Sequence, residues 1–310
     1  MEENFYKSLE EKLHLLEVKR QKIVRWLTIF ATMSFLLSLF SIYYLWGSIG
    51  ERELLVATFA AFVASTPTYL HQKKRWSEFF KEEILSTIFK NFFPSLTYRP
   101  KEYIPKELFI SSLLFADSSR PDRYRGEDRI EGKVGSTDIA LSEVWAEYMT
   151  ETMDGEGNRK VEWHTIFKGV FFVAKFPKRA RSTVLVYPST FRFFGTPAKL
   201  QRVKLEDPEF EKHFDVFSND QIEARYILSL SLMRRMLDFV LKTRARVRFS
   251  FMGEYMFCAM DFGKNFFKAP SLFRSVYPLL YEEGYRQYVK EVELLISIVE
   301  ELNLNQRIWL

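Results

Sequence analysis

Residues Trp26 to Trp46 read WLTIFATMSFLLSLFSIYYLW, a run without one charged side chain. At ~1.5 Å per residue, a helix of about 21 residues spans about 31 Å, the thickness of a bilayer's hydrocarbon core. Trp26 at one end, and Tyr43, Tyr44 and Trp46 at the other, put amphipathic rings where headgroups would lie. A second uncharged run, Leu54 to Leu70, is about 17 residues long, the short limit for a span, and its Pro67 is tolerable in a membrane helix. Only GSIGERE, Gly47 to Glu53, separates the two, so the expected anchor is an antiparallel transmembrane hairpin over 26–70. A signal peptide does not fit. Its apolar stretch is about 7–15 residues behind a short basic region, whereas here the run is longer and the leading segment carries acids as well as bases. Lys19, Arg20, Lys22 and Arg25 precede the first run, and Lys73, Lys74 and Arg75 follow the second. The loop between holds only Arg52, so the positive-inside rule puts both termini in the cytoplasm, in a multi-pass protein of a bacterial inner membrane.

The remainder divides into a cytoplasmic helix over 1–25, a juxtamembrane amphipathic helix over 71–97 and a soluble domain over 98–310. In the first, Leu9, Leu13, Leu16 and Ile23 form one stripe, interrupted by Arg20. Either it joins chains as a short coiled coil, giving a homo-oligomer or a membrane-protein partner, or it packs on the chain's own domain. In Trp76 to Phe93, Trp76, Phe79, Phe80, Ile84, Ile88 and Phe92 recur at helical spacing before Pro94. That face suits either a membrane interface or a cover for the soluble domain.

From Tyr98 the pattern turns to strands: Arg129 to Val134, Ile139 to Met149, Val161 to Phe176 and Thr183 to Tyr187. Phe167 and Val170 to Val173 are apolar on both faces, which suits a central, doubly covered strand. A helix follows over Gln221 to Lys242. RVRFSF and EYMFCAMD, parted only by Met252 and Gly253, read as a hairpin. The last helix runs from Tyr285 to Leu302. Clustered strands with flanking helices predict an α+β fold: the N-terminal hairpin, then a mostly antiparallel sheet domain with flanking helices.

Three stretches, GEDRIEGKVGSTDIALSEVWAEY, FKGVFFVAKF and LEDPEFEKHFDVFSNDQIEARYILSLSLMRRMLDF, resemble a bacterial family known as a domain of unknown function, number 3137. With the two N-terminal runs, the likeness covers most of the chain. It implies a membrane-anchored domain and brings no assigned catalytic residues.

Composition narrows the chemistry. A chain of 310 residues with 47% hydrophobic content and 31 Phe is too apolar for disorder, and a net charge of +5 is too small for a strongly basic nucleic-acid binder. The one cysteine, Cys258, excludes an intramolecular disulfide or a multi-cysteine metal site. His14, His71, His164 and His213 lack metal-ligand spacing. No P-loop, GxGxxG, GxSxG or HExxH is present, so no cofactor or metal is expected. The carboxylates of Glu206 to Glu223 read as surface and helix caps, Asp220 capping the helix at Gln221 with Glu223 at its third position. His164 is the candidate general base if the domain is an enzyme. Lys175, Lys178, Arg179, Arg181, Arg192, Lys199, Arg202 and Lys204 form a basic stretch without an acid, and Lys242, Arg244, Arg246 and Arg248 a second cluster. Phe191, Phe193 and Phe194 lie within the first. Beside an anionic leaflet each such cation is worth about 1 kcal/mol, so these are candidate contacts to anionic lipid headgroups. Nucleic acid would also use basic and aromatic residues, but no motif supports it. The expected role is a membrane-anchored scaffold or binding domain. The alternatives are a membrane-bound enzyme acting on a lipid or envelope substrate, and a lipid- or ligand-sensing module.

Overall fold

The computed structural model describes the backbone of residues 2–45, 51–115, 121–153, 159–189, 200–302 and 304, and their side chains except at 2–3, 41–42, 44–45 and 51–65. The chain divides into two compact units, Met1–Asn91 with Lys268–Tyr288, and Phe92–Phe267 with Val289–Leu310.

The first unit is built on α1, a continuous helix over Glu2–Leu45. Phe5, Leu9, Leu13 and Leu16 recur every three or four residues and are buried, so the stripe read from the sequence packs within the chain's own unit. Beyond Trp26 the same helix is largely exposed, at Ile29, Met33, Phe35, Leu36, Leu37 and Phe40. The most apolar stretch within Asn4–Phe40 is long enough to span a bilayer and holds no buried residue. Among the described residues this is the one helix long and apolar enough to cross a membrane. The second expected span falls within α2, Glu51–Phe80, which runs through Pro67; its side chains over 51–65, and residues 46–50 of the expected connection, lie outside the described residues.

After α2 comes a π-helical turn, Lys81–Leu85, then α3, Ser86–Phe92. Trp76, Phe80, Ile84, Leu85, Ile88 and Phe89 are buried, so this apolar face is covered by protein. The Trp76 Nε1–H donates to the Pro270 carbonyl at 2.8 Å, and the Phe80 ring lies 5.5 Å from that of Tyr288. Glu17 fastens Lys268–Tyr288 to α1. Its buried carboxylate accepts from Arg20 at 2.6 Å and from the backbone N–H of Val276 at 3.1 Å, while Arg20 also donates to the Leu272 carbonyl at 2.9 Å. The Arg20 guanidinium, then the Val276 N–H, hold the Glu17 carboxyl down at about 2 against the cost of burial.

The second unit is α+β. In chain order it contains β1 (Leu96–Arg99), α4 (Lys106–Ser111), β2 (Arg123–Val134), β3 (Thr137–Met153), β4 (Arg159–Pro188), β5 (Gln201–Val203), α5 (Pro208–His213), β6 (Phe214–Ser218), α6 (Gln221–Ile227), α7 (Leu230–Thr243) and β7 (Arg246–Asp261). A further helix, α8, spans Glu282–Glu301. Every strand pairing is antiparallel; the order is β1-β2-β3-β4-β6-β5, with β7 also on β4.

Strands β4 and β7 each double back. Arg246 and Asp261, at opposite ends of β7, form an ion pair at 2.5 Å, whereas a straight strand would hold them ~50 Å apart. The reversal lies at Gly253, whose φ of +57° suits glycine. The hairpin expected at Met252–Gly253 is not formed: β7 is one continuous strand bent sharply at Gly253, and both of its arms pair with β4, because β4 bends with it and supplies the partners that a hairpin would have drawn from β7 itself. β4 pairs antiparallel with both arms of β7, through Val170–Lys175 on one and Val184–Val186 on the other, so it reverses too, over 176–183. The two strands expected at 161–176 and 183–187 are its arms.

Val170 to Ala174 are all buried, as a doubly covered strand requires. On one face Phe167, Phe171 and Val173 join Val144, Ala146, Phe257 and Ala259 beneath Phe109 of α4. On the other, Glu143 accepts from the N–H of Phe266, and the N–H of Phe267 donates to Glu291 of α8 at 2.8 Å. The first residues of β4 behave differently. Val161 and Trp163 are exposed, and the β3–β4 ribbon, paired as far as Met153 and Arg159, projects from the core. The single helix expected over Gln221 to Lys242 is two. The backbone leaves helical geometry at Leu228 (ψ 65°), and the Ser229 hydroxyl caps a new start by accepting from the Leu232 N–H.

Candidate functional site

The basic residues sort by what holds them. Lys175, Arg179 and Arg181 are exposed on the 175–183 crossing of β4. Lys178, between them, is buried. Its ammonium donates to the Tyr226 carbonyl at 2.6 Å and lies 4.3 Å from the ring of the same residue. Burial pulls its pKa down, and it is not presented to any surface, which corrects its reading as a headgroup contact. The Arg181 N–H donates to Glu223, so the acid expected to complete the α6 cap instead ties α6 to the crossing. Arg202 pairs with Asp215 at 2.5 Å, and Lys204 is exposed. Arg192 and Lys199 lie outside the described residues, with Phe191, Phe193 and Phe194.

In the second cluster Lys242 pairs with Glu301 and Arg246 with Asp261, while Arg244 is exposed in the left-handed position that ends α7. Arg248 is half-buried, 4.9 Å from the Phe115 ring, and burial pulls its pKa down to about 10. Gly253 pairs with Ala180, beside the first cluster, whereas Arg246 is seven residues back along the same arm, ~23 Å away. Strand pairing thus puts the clusters at the tip and the foot of one arm. Among the described residues of the two clusters, Lys175, Arg179 and Arg181 are exposed along one stretch of β4.

The carboxylates of 206–223 are caps and ties. Asp207 accepts from Glu209 and Phe210 N–H at 3.0 and 3.2 Å, and Asp220 from Ile222 and Glu223 N–H at 2.9 and 3.0 Å, as expected for Asp220. Glu211 accepts from the Leu205 N–H at 2.8 Å. A different acidic group escaped the sequence reading: carboxylate oxygens of Glu127, Asp128 and Glu143 lie within 4.8 Å of one another. A hard cation could use such oxygens. Asp128, however, accepts the Tyr98 hydroxyl at 2.6 Å, and its own N–H donates to the Pro100 carbonyl at 3.0 Å. Burial, then the Asp128 charge, push the Tyr98 phenol up, so it stays a donor. Glu143 holds the Phe266 N–H. Asp128 and Glu143 therefore tie strand ends to loops. A Gly-Glu-Asp run at a β2 irregularity was the one sequence hint, and Glu143 joins it only through strand pairing.

His164 is half-buried on the projecting ribbon. Its Nε2 lies 2.8 Å from the Thr150 hydroxyl, and its ring stacks on Tyr148 at 5.0 Å. Its neighbour Trp163 lies under the Arg123 guanidinium at 3.8 Å. Cys258 is fully buried, and burial pushes its thiol up, away from thiolate reactivity.

No match was found among curated proteins. A crystal structure of the mycobacterial trehalose monomycolate transport factor A, TtfA, aligns with 11% identity over 68% of this chain and 92% of that one, at a TM-score of 0.34. A likeness of that size carries no argument. The stretch GEDRIEGKVGSTDIALSEVWAEY precedes the segment matched by a family model, but FKGVFFVAKF and the long stretch from Leu205 fall inside it. Residues 165–304 match the family described as Protein of unknown function (DUF3137), the family that those stretches resemble.

Proposed function

We propose that this chain is a membrane-anchored binding or scaffold module of a bacterial inner membrane, with two spans and both termini in the cytoplasm. One observation carries the reading. The first half of α1 is locked into a protein core by Phe5, Leu9, Leu13 and Leu16, while its second half is apolar and exposed over a length that fits a bilayer. A helix is stiff, so the exposed half needs its own apolar surroundings, and hydrocarbon supplies them. Lys22 and Arg25 are exposed just before Trp26, where cytoplasmic anionic headgroups would lie. The chain should stay in the membrane fraction after a carbonate wash. Release by that wash would overturn the anchor.

The binding partner that best fits the exposed Lys175, Arg179 and Arg181 is an anionic lipid headgroup. Chain purified in mild detergent should retain anionic phospholipid, and retain less when these three residues are changed to Gln. Equal retention would refute that contact and leave a scaffold with ordinary solubilising charges. Protein partners that co-purify from the same membranes would be read in the same experiment.

A further inference from the structure

We propose that Phe273 and Arg274 form a second membrane contact, the ring entering the headgroup–acyl boundary and the guanidinium meeting anionic headgroups. This inference rests on the anchor reading above.

Helices α1 and α2 run antiparallel: Lys12 pairs with Glu83 at 3.3 Å, and the Lys19 ammonium lies over the Phe79 ring at 3.2 Å. From Lys19 to Trp26 is ~10 Å of helix, and ~14 Å back along α2 from Phe79 lies the end of the second apolar run at Leu70. Both runs therefore stop within ~3 Å of one height. Exposed Lys22, Arg25, Lys73 and Arg75 ring that height.

The segment Lys268–Tyr281 is fastened beside it. Trp76 holds Pro270, Arg20 holds Leu272 and Glu17 holds Val276, while Leu272 and Val276 are themselves buried. Arg20 lies six residues before Trp26, ~9 Å of helix, close to the depth of a headgroup layer. Phe273 is 62% exposed, and its one ring partner among the described residues is Tyr69, stacked at 6.2 Å and 15° inside the second apolar run. A large apolar ring set at the edge of an apolar band, with an exposed cation beside it, has the chemistry of an interfacial anchor. The segment then descends: the Tyr285 hydroxyl meets that of Tyr6 at 3.1 Å, ~30 Å of helix below Trp26. Tyr281, 73% exposed and one helical turn from Tyr285, lies well away from the edge.

Single cysteines at Phe273, Leu36 and Tyr281 of the full chain, each labelled with an environment-sensitive fluorophore, test this in anionic nanodiscs. The nanodiscs carry a doxyl quencher near the headgroups or near the chain ends. Cys258 is fully buried and stays unlabelled. The label at Phe273→Cys should be blue-shifted and quenched by the shallow doxyl, that at Leu36→Cys by the deep one, and that at Tyr281→Cys by neither. An unquenched label at 273 with a quenched one at 36 overturns the second contact and leaves the anchor. An unquenched label at 36 overturns the anchor itself. Equal quenching at 273 and 281 overturns the assignment to this tip. The change Arg274→Gln should weaken shallow quenching at 273 in anionic discs and not in neutral ones; no change refutes the headgroup contact.

Discussion

Glu17 is a carboxylate in the middle of a charged helix, where solvent would be its ordinary partner. Here it is 3% exposed and bound to residues 258 and 259 positions away. Replacing it with Gln removes the charge-assisted bonds to Arg20 and Val276, and should cost about 2 kcal/mol by denaturant unfolding. The pH consequence follows from its depressed pKa. Between about 2 and the ordinary 4.5 the unfolded chain binds the proton and the folded chain does not. The stabilisation is thus complete above 4.5 and falls away as the pH drops toward 2. Acid unfolding followed by circular dichroism should be less steep in Glu17→Gln over that window. Asp220 makes a simpler case, since its carboxylate caps two N–H groups of α6. The change Asp220→Ala should lower stability by about 1 kcal/mol. Added Mg²⁺ should leave the melting temperatures of both forms unmoved; a rise in the wild type alone would make Asp220 a ligand instead.

Among the elements, the reversal of β7 carries the sharpest test. Gly253 has a positive φ, and a Cβ there would meet nothing within 4 Å. The change Gly253→Ala should therefore cost only the left-handed backbone term, about 1 kcal/mol, and Gly253→Asn less. A larger loss in Ala would mean that the site is crowded. Glycine 169 is the opposite case: a Cβ would run into the Met260 carbonyl oxygen of the paired strand, so Gly169→Ala should damage the β4–β7 pairing far more. The bend at Gly253 was legible because Met-Gly between two apolar runs is a local signal, but the pairing was not: the two runs are one strand that pairs with β4 and not a hairpin. The short β1, β5, β6, α4 and α5 were not, because three to six residues are too few to show a period. The break between α6 and α7 hid inside a continuous apolar stripe, and Ser229 marks it only once its hydroxyl is seen to cap.

For the whole molecule, orientation is the open quantity that experiment reads most directly. With the basic flanks inside, a reporter fused after Leu310 should be active only in the cytoplasm, and a cysteine at Ser48 should label from outside the cell. External labelling at Asp220 would reverse the topology. The two units also set an expectation for dissection. Lys268–Tyr288 belongs with α1 and α2, so a chain cut after residue 97 removes part of the first unit's core, Leu272, Val276 and Tyr288. Residues 1–97 alone should be less resistant to protease than the same helices in the full chain.

What the sequence by itself determined is what short-range chemistry dictates. An uncharged run long enough for a bilayer, the Asp220 cap and the two-faced apolar strand at Val170–Ala174 each rest on a few neighbouring residues. Only the tertiary structure decided which charges are solvated. Lys178 and Arg179 are adjacent and chemically alike, yet one is buried against Tyr226 and the other is exposed. It also decided that Glu17 is a buried hub, that Glu143 joins Glu127 and Asp128, and that Phe273 comes to rest on Tyr69. These outcomes depend on partners as much as 200 or more residues apart. Their meeting is set by the packing of whole helices and strands, which no local pattern encodes.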